Sequence, residues 1–224
     1  MNPAPIPAPR VCAFDFDGTL VDTMGEFANI AADVLEKNYA IPFAEGRRSY
    51  LETSGIPFFQ QLELIRPSGE HNAAAAEEFE RRKIEGFLDT EPSPDTLRGL
   101  AALRAAGIHL AVSSNNFQHL VDAFQARHAL PMDLSLGFDA AAGSEKGRPH
   151  FERIRREFGV GPGDILFCGD SLKDGERAFE GGLRFAGITG TFPRERFLER
   201  FPGIPVVDGI LELSQRILAD LRPA

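Results

Sequence analysis

Asp15 and Asp17 stand two residues apart where a short apolar run, residues 11–16, gives way to Gly18 and Thr19. Side chains on a strand repeat every two residues, so both carboxylates can leave the strand end on one side. Gly18 then lets the chain turn sharply, as Asp-Gly pairs do. Two carboxylates at the tip of a buried strand are costly unless a metal ion, a lysine or backbone N–H groups compensate them. Further polar clusters follow other apolar runs. Ser113, Ser114, Asn115 and Asn116 succeed HLAV. Hydroxyls and amides at such a strand exit can donate to phosphate oxygens beside backbone N–H groups, or simply cap a helix. Lys146 and Arg148 share the segment GSEKGRP, and Asp170 ends ILFCGD with Asp174 four residues on. An acid after a buried strand and a glycine suits a hard cation, which prefers oxygen ligands. Asp174 can hold a metal-bound water or a basic residue from behind, or serve as an acid at a helix start.

Gathering these clusters requires strands that all end at one edge. Residues 11–16, 108–112, 134–138, 165–168, 183–186 and 204–207 read as strands, being short and apolar. Helical patterns at 95–105, 117–127, 149–158, 175–180, 194–200 and 211–221 alternate with them. That alternation predicts an α/β fold, a Rossmann-like doubly wound parallel sheet with helices on both faces. Ligands in such sheets bind beyond the C-terminal strand ends, where every polar cluster above falls. Residues 24–88 break the alternation: helical patterns at 24–37, 49–66 and 71–88 and no evident strand. An inserted all-helical domain over 24–90 is expected, with 1–23 and 91–224 forming the α/β core. The prolines of TEPSP mark the return linker.

The run VCAFDFDGTLVDT at 11–23 resembles motif I of the haloacid dehalogenase-like hydrolases, DxDGT. Ser113 matches that family's motif II, a Ser or Thr ending an apolar strand. Its basic motif III is usually a Lys directly before Pro. Arg148 holds that place here and Lys146 lies two residues earlier. A lysine's compact charge favours Lys146, with Arg148 as the alternative. Gly169, Asp170 and Asp174 match motif IV, GDxxxD. The motifs come in the family's order and cover most of the chain.

The resemblance implies a chemistry. Asp15, Asp17, Asp170 and Asp174 cannot all ionise side by side without raising one another's pKa; a Mg²⁺ and a lysine resolve this. Asp15 and Asp170 would ligate Mg²⁺ by carboxylate, and Asp17 by its backbone carbonyl. Asp15 would be the nucleophile that becomes an aspartyl-phosphate, and Asp17 the acid and base. Lys146, Ser113, Gly18 and Ser114 would stabilise the phosphoryl oxygens, Asn115 would orient the phosphate or Asp15, and Asp174 would support the base. An acid at Asp17 points to a phosphate ester, because dehalogenating relatives lack it. The helical block matches the family's small cap, as in the phosphoglycolate phosphatase-like subgroup. Within it, residues 55–60 read as a segment facing substrate, with Phe58 and Phe59 as cap core the plainer reading. The expected activity is a Mg²⁺-dependent phosphatase of a small phosphorylated metabolite. The alternatives are a sugar phosphomutase, disfavoured by the lack of a His soon after motif I, and a non-catalytic binding domain on the same fold.

Composition narrows the partners. The 224 residues carry 24 Lys+Arg and 33 Asp+Glu, a net charge of −9, so nucleic-acid or anionic-membrane binding is not expected. No stretch approaches the roughly 20 apolar residues of a membrane span. Residues 1–10, rich in proline, lack a signal-peptide core and read as a disordered lead-in. A cytoplasmic monomer or homodimer is expected. Cys12 and Cys168 fall in predicted strands and read as small core residues. His150 reads as a helix-start residue without a catalytic role.

Overall fold

The computed structural model describes residues 4–221. In chain order the elements are β1 (Val11–Phe14), α1 (Met24–Tyr39), α2 (Phe43–Glu52), α3 (Phe58–Ile65), α4 (Asn72–Phe87), α5 (Pro94–Ala105), β2 (His109–Phe117), α6 (Gln118–His128), β3 (Leu134–Phe138), α7 (Arg148–Phe158), β4 (Ile165–Gly169), α8 (Leu172–Glu180), β5 (Arg184–Ile188), α9 (Arg194–Arg200), β6 (Val206–Val207) and α10 (Ile210–Asp220). The chain divides into two units, Met1–Val21 with Glu91–Ala224, and Asp22–Thr90.

The first unit is built on a six-stranded sheet in the order β3-β2-β1-β4-β5-β6, with every pairing parallel. β1 and β4 lie at its centre and are buried along their whole length. A strand covered on both faces has no solvent side, which is why VCAF and ILFCG read as continuous apolar runs rather than alternations. From β1 the chain builds outward through β2 and β3, then returns to add β4, β5 and β6 on the other side. The direction of winding therefore switches between β1 and β4, where a crevice opens beyond the C-terminal strand ends. One face packs Phe151, Ile154, Phe167 and Ala178 into a continuous core, with the rings of Phe151 and Phe167 edge to face at 5.1 Å. Helix α5 starts where Ser93 Oγ accepts the N–H of Thr96 and Pro94 opens the first turn, and α7 stops at Gly159 in the left-handed region, φ 61°.

Cys12 and Cys168 are fully buried and free, and burial pushes the Cys12 thiol up to about 12, so neither is reactive. No helix among the described residues is long and apolar enough to cross a membrane.

Three details differ from the sequence-based expectations. The strand expected to end at residue 112 runs on as β2 to Phe117, and its register against β3 shifts between Ser113 and Phe117. The described part of the lead-in is tied down rather than disordered. Ile6 is buried and donates its N–H to Arg216 O at 3.1 Å, Ala8 N–H reaches Asp220 Oδ2 at 2.9 Å, and Arg216 Nε donates to Ala4 O at 2.9 Å. Residues 1–3 of the lead-in lie outside the described residues. The single helix expected over 49–66 is two helices, α2 and α3, parted by Gly55 at φ 93° and by Pro57. Proline lacks the N–H that a continuing helix needs and restricts the residue before it.

The second unit is the four-helix block α1–α4. Phe27, Tyr50, Phe58 and Phe79 form its aromatic centre, with the Phe58 and Phe79 rings 4.2 Å apart. Phe59 does not join them: it is 57% exposed, because its neighbour Phe58 takes the inward face of α3. The turn between α2 and α3 is held from inside. Thr53 Oγ1 donates to Gln61 Oε1 at 2.8 Å and Gln61 Nε2 to Ile56 O at 3.0 Å.

Candidate active site

The ladder between β1 and β4 extends one residue past β1, where Asp15 N–H donates to Cys168 O at 2.9 Å. This seats Asp15 beside Gly169 and Asp170 at the mouth of the crevice. Gly18, at φ 72°, turns the chain, and its N–H donates to Val21 O at 2.8 Å. Asp15, Asp170 and Asp174 are all buried, and one oxygen of each lies within 4.8 Å of the others.

Lys146 reaches into this cluster with its side chain 1% exposed. Its Nζ lies 2.7 Å from Asp15 Oδ1 and 2.6 Å from Asp174 Oδ1. Asp174 is fixed by a reciprocal cap at the start of α8: its Oδ2 accepts from Ser171 N at 3.2 Å and Ser171 Oγ at 2.7 Å, while its N–H donates to Ser171 Oγ at 3.1 Å. Residue 169 must be glycine here, since a Cβ would stand 2.5 Å from Asp174 Oδ2. Asp170 accepts from the hydroxyl of Thr191, which follows β5.

The charges do not balance. Three carboxylates face one ammonium. Burial pushes Asp15 up to about 6, helped by the charges of Asp174 and Asp17 and opposed by Lys146. Burial also drives Asp170 well above the usual carboxylate range, with Asp15 and Asp174 adding to it. Burial alone would lower Lys146, but Asp15 and Asp174 outweigh it and the ammonium is held. Fully ionised, Asp15, Asp170 and Asp174 carry two negative charges more than Lys146 offsets, an excess that a divalent cation would reduce. The donors are hard oxygens, and Asp174 already spends both of its own on Lys146 and Ser171. Asp15 and Asp170 are thus the carboxylates that fit a small hard ion such as Mg²⁺.

Ser113 and Ser114 are buried at the next strand exit. Ser114 Oγ accepts from Asn116 N at 3.0 Å, and Asn116 Nδ2 donates to Asp17 Oδ2 at 2.8 Å. Asn116 is expected only as one member of the polar cluster, and Asn115 as the residue that orients the phosphate or Asp15; in the structure Asn116 is in contact with an acid, Asp17. Asn115 is only half-buried; because β2 stays extended to Phe117, alternation sends Ser114 and Asn116 to the same side.

Of the two basic residues, Lys146 and not Arg148 is the one paired with the acids. The side chain of Arg148 is 85% exposed and its Nε donates to Glu152 Oε1 at 2.8 Å, an i,i+4 surface pair on α7. Gly147, at φ 115°, makes the difference: the chain kinks there, so Lys146 enters the acids while Arg148 begins the helix. Arg148→Ala should therefore leave turnover within about twofold and stability within about 0.5 kcal/mol, as exposed pairs do. Steady-state kinetics with a denaturant titration would check this.

His150 is buried against these same loops, Nδ1 being 2.9 Å from Ser113 Oγ. Burial lowers its pKa to about 4, with Lys146 and Arg177 pushing the same way and the Gly137 carbonyl opposing. The folded value lies below the ordinary 6.5, so the unfolded chain binds this proton more tightly. Stability from the neutral ring is intact above the unfolded value and is lost as pH falls toward the folded one, by up to about 3 kcal/mol. Asp15, raised to about 6, contributes the opposite slope over the same range, so the stability difference between wild type and His150→Asn in urea titrations is what should rise with pH by that amount.

A family model described as haloacid dehalogenase-like hydrolase matches residues 9–181. A phosphoglycolate phosphatase of Synechococcus elongatus is 26% identical over 188 residues, covering 80% of this chain and 83% of that protein. Phosphoglycolate phosphatase 1 of Pseudomonas aeruginosa is 25% identical over 216 residues, covering 92% and 78%. Among solved structures, a haloacid dehalogenase-like family hydrolase from Streptococcus pneumoniae superposes with a TM-score of 0.76 at 17% identity, covering 96% of this chain and 99% of that one.

Proposed function

Since the chain belongs to the haloacid dehalogenase-like hydrolases, we propose that it is a Mg²⁺-dependent phosphatase of a small phosphorylated metabolite, with Asp15 as nucleophile. The observation that carries this reading is Lys146 bridging Asp15 and Asp174 next to Asp170, in the crevice where the sheet reverses its winding.

In this reading an oxygen of Asp15 attacks phosphorus in line, forming an acyl phosphate as the bond to the leaving oxygen breaks. Asp17 gives its proton to that oxygen, then takes one from the water that attacks the acyl phosphate. Phosphate leaves and Asp15 is restored. Asn116 holds Asp17 at 2.8 Å, so the acid and base has a fixed starting position. Lys146 keeps Asp15 ionised and aligned and faces the negative charge of the phosphoryl oxygens, with Ser113, Ser114 and Gly18 at their edge. Asp15 and Asp170, with the backbone carbonyl of Asp17, would hold Mg²⁺, which when bound supplies charge for the transferring phosphoryl group. Asp174 takes no part in bond changes; it fixes Lys146.

The unit Asp22–Thr90 acts as the cap that selects the substrate. The relatives named phosphoglycolate phosphatase make 2-phosphoglycolate the first ester to try. Phosphate release should be measured over a panel of that ester, sugar phosphates and an aryl phosphate, with Mg²⁺ or with chelator. Release should fall at least roughly hundredfold in chelator and return with Mg²⁺. Release that ignores the metal, or none from any ester, would overturn the reading. Turnover that needs a bisphosphate primer would instead mark a mutase.

A further inference from the structure

His150 has no part in the bond changes above, yet it is buried and both its ring nitrogens are engaged. Nδ1 lies 2.9 Å from Ser113 Oγ. Nε2 lies 3.1 Å from the Gly137 carbonyl and 3.0 Å from Ser144 Oγ. A carbonyl oxygen only accepts, so Nε2 carries a proton. The hydroxyl of Ser144 itself donates to Gly137 O at 3.0 Å, which leaves its oxygen able to accept from Nε2 as well. The ring is desolvated and sits near the cations Lys146 and Arg177, which disfavour a second proton. Nδ1 is then bare, and the Ser113 hydroxyl is the donor in that pair.

We propose that His150 is a positioning residue: neutral, with its proton on Nε2, it accepts the Ser113 hydroxyl at Nδ1 and bolts that serine to Gly137 and Ser144. The proposal rests on reading Ser113 as a phosphoryl contact. One ring thereby joins the exit of β2, the end of β3 and the loop that carries Lys146 two residues after Ser144. It fixes the side chain of Ser113 before any phosphoryl group arrives. A phosphoryl oxygen then competes with Nδ1 for the hydroxyl proton, and the ring takes it back on release.

Two measurements on the full chain test this. Long-range ¹H–¹⁵N spectra of the imidazole at neutral pH should show a protonated Nε2 and a bare Nδ1, and Ser113→Ala should move the Nδ1 resonance. A protonated Nδ1, or one indifferent to Ser113→Ala, would overturn the proposal. The second is a double-mutant cycle on aryl phosphate hydrolysis with Mg²⁺, with melting curves to verify folding. His150→Phe should lower kcat/KM roughly tenfold, the worth of one such bond, and His150→Asn, whose side-chain oxygen can accept from Ser113, should recover part of it. In the Ser113→Ala background His150→Phe should add less than about twofold; full additivity would mean the ring acts by packing alone and would overturn the proposal. A wild type that releases no phosphate overturns the phosphatase reading, and the ring spectrum then decides the His150 assignment by itself.

Discussion

Asp15→Asn is expected to lower turnover on the order of 10⁴-fold or more, since it removes the nucleophile and leaves nearly everything else in place. The amide has almost the volume of the carboxylate but cannot open an acyl phosphate pathway. Stability separates this outcome from simple misfolding. Asp15 is one of three buried carboxylates sharing a single ammonium, and burial already pushes it up to about 6. Removing its charge relieves that excess, so the metal-free variant should melt no lower than wild type. Phosphate-release kinetics with thermal melts in chelator would check both halves. An active Asp15→Asn would exclude Asp15 as nucleophile, and an inactive but unfolded one would say nothing of chemistry.

Lys146→Met should be damaging in both respects. The ammonium lies 2.7 Å from Asp15 and 2.6 Å from Asp174, and Met keeps the length of the side chain without the charge. Breaking a buried ion pair from one side leaves uncompensated charge and costs about 3–5 kcal/mol. Here two carboxylates lose their partner at once, so the upper end is expected in chelator, with part of the loss restored by Mg²⁺. Turnover should fall at least roughly 10³-fold, because the charge that faces the phosphoryl group goes with it. Lys146→Arg should not restore activity: a planar guanidinium is too broad for a pocket shaped to a point charge between two acids. Urea titration and kinetics of the three proteins side by side measure this. A Lys146→Met protein as stable as wild type in chelator would mean that the carboxylates are held neutral instead.

Much of the site could be read directly because its chemistry is local. Asp15, Asp17 and Gly18 are one strand exit and its turn, and Asp170 and Asp174 another; each is a few consecutive residues with a period that side-chain alternation or one helical turn explains. The parallel, doubly wound sheet followed from the alternation of elements; the order of its strands came only with the structure. What escaped depended on the third dimension. Lys146 is favoured over Arg148 by its chemistry, but the kink at Gly147 that parts the two in space has no trace in their residue types. Asn116 reaches Asp17 because β2 runs on past its apolar part, stabilised by its neighbours rather than by its own polar residues. Thr191 meets Asp170 across adjacent strand exits, and its only local trace is a hydroxyl after an apolar run. His150 looked like an ordinary helix start; its burial beside Ser113 comes from packing between segments distant in sequence. The break between α2 and α3 is legible in Pro57, which lacks the N–H that a continuing helix needs.

The central claim is covalent catalysis by Asp15, and trapping tests it most directly. The wild type would be mixed with the best ester of the panel and Mg²⁺, quenched within a turnover and treated with borohydride, which reduces an acyl phosphate to an alcohol. Peptide mass spectrometry should find homoserine at position 15, in the peptide holding DFDGT, and only when ester and Mg²⁺ were both present. Efficient phosphate release with Asp15 unmodified, or with the mark on Asp17 or Asp170, would contradict it.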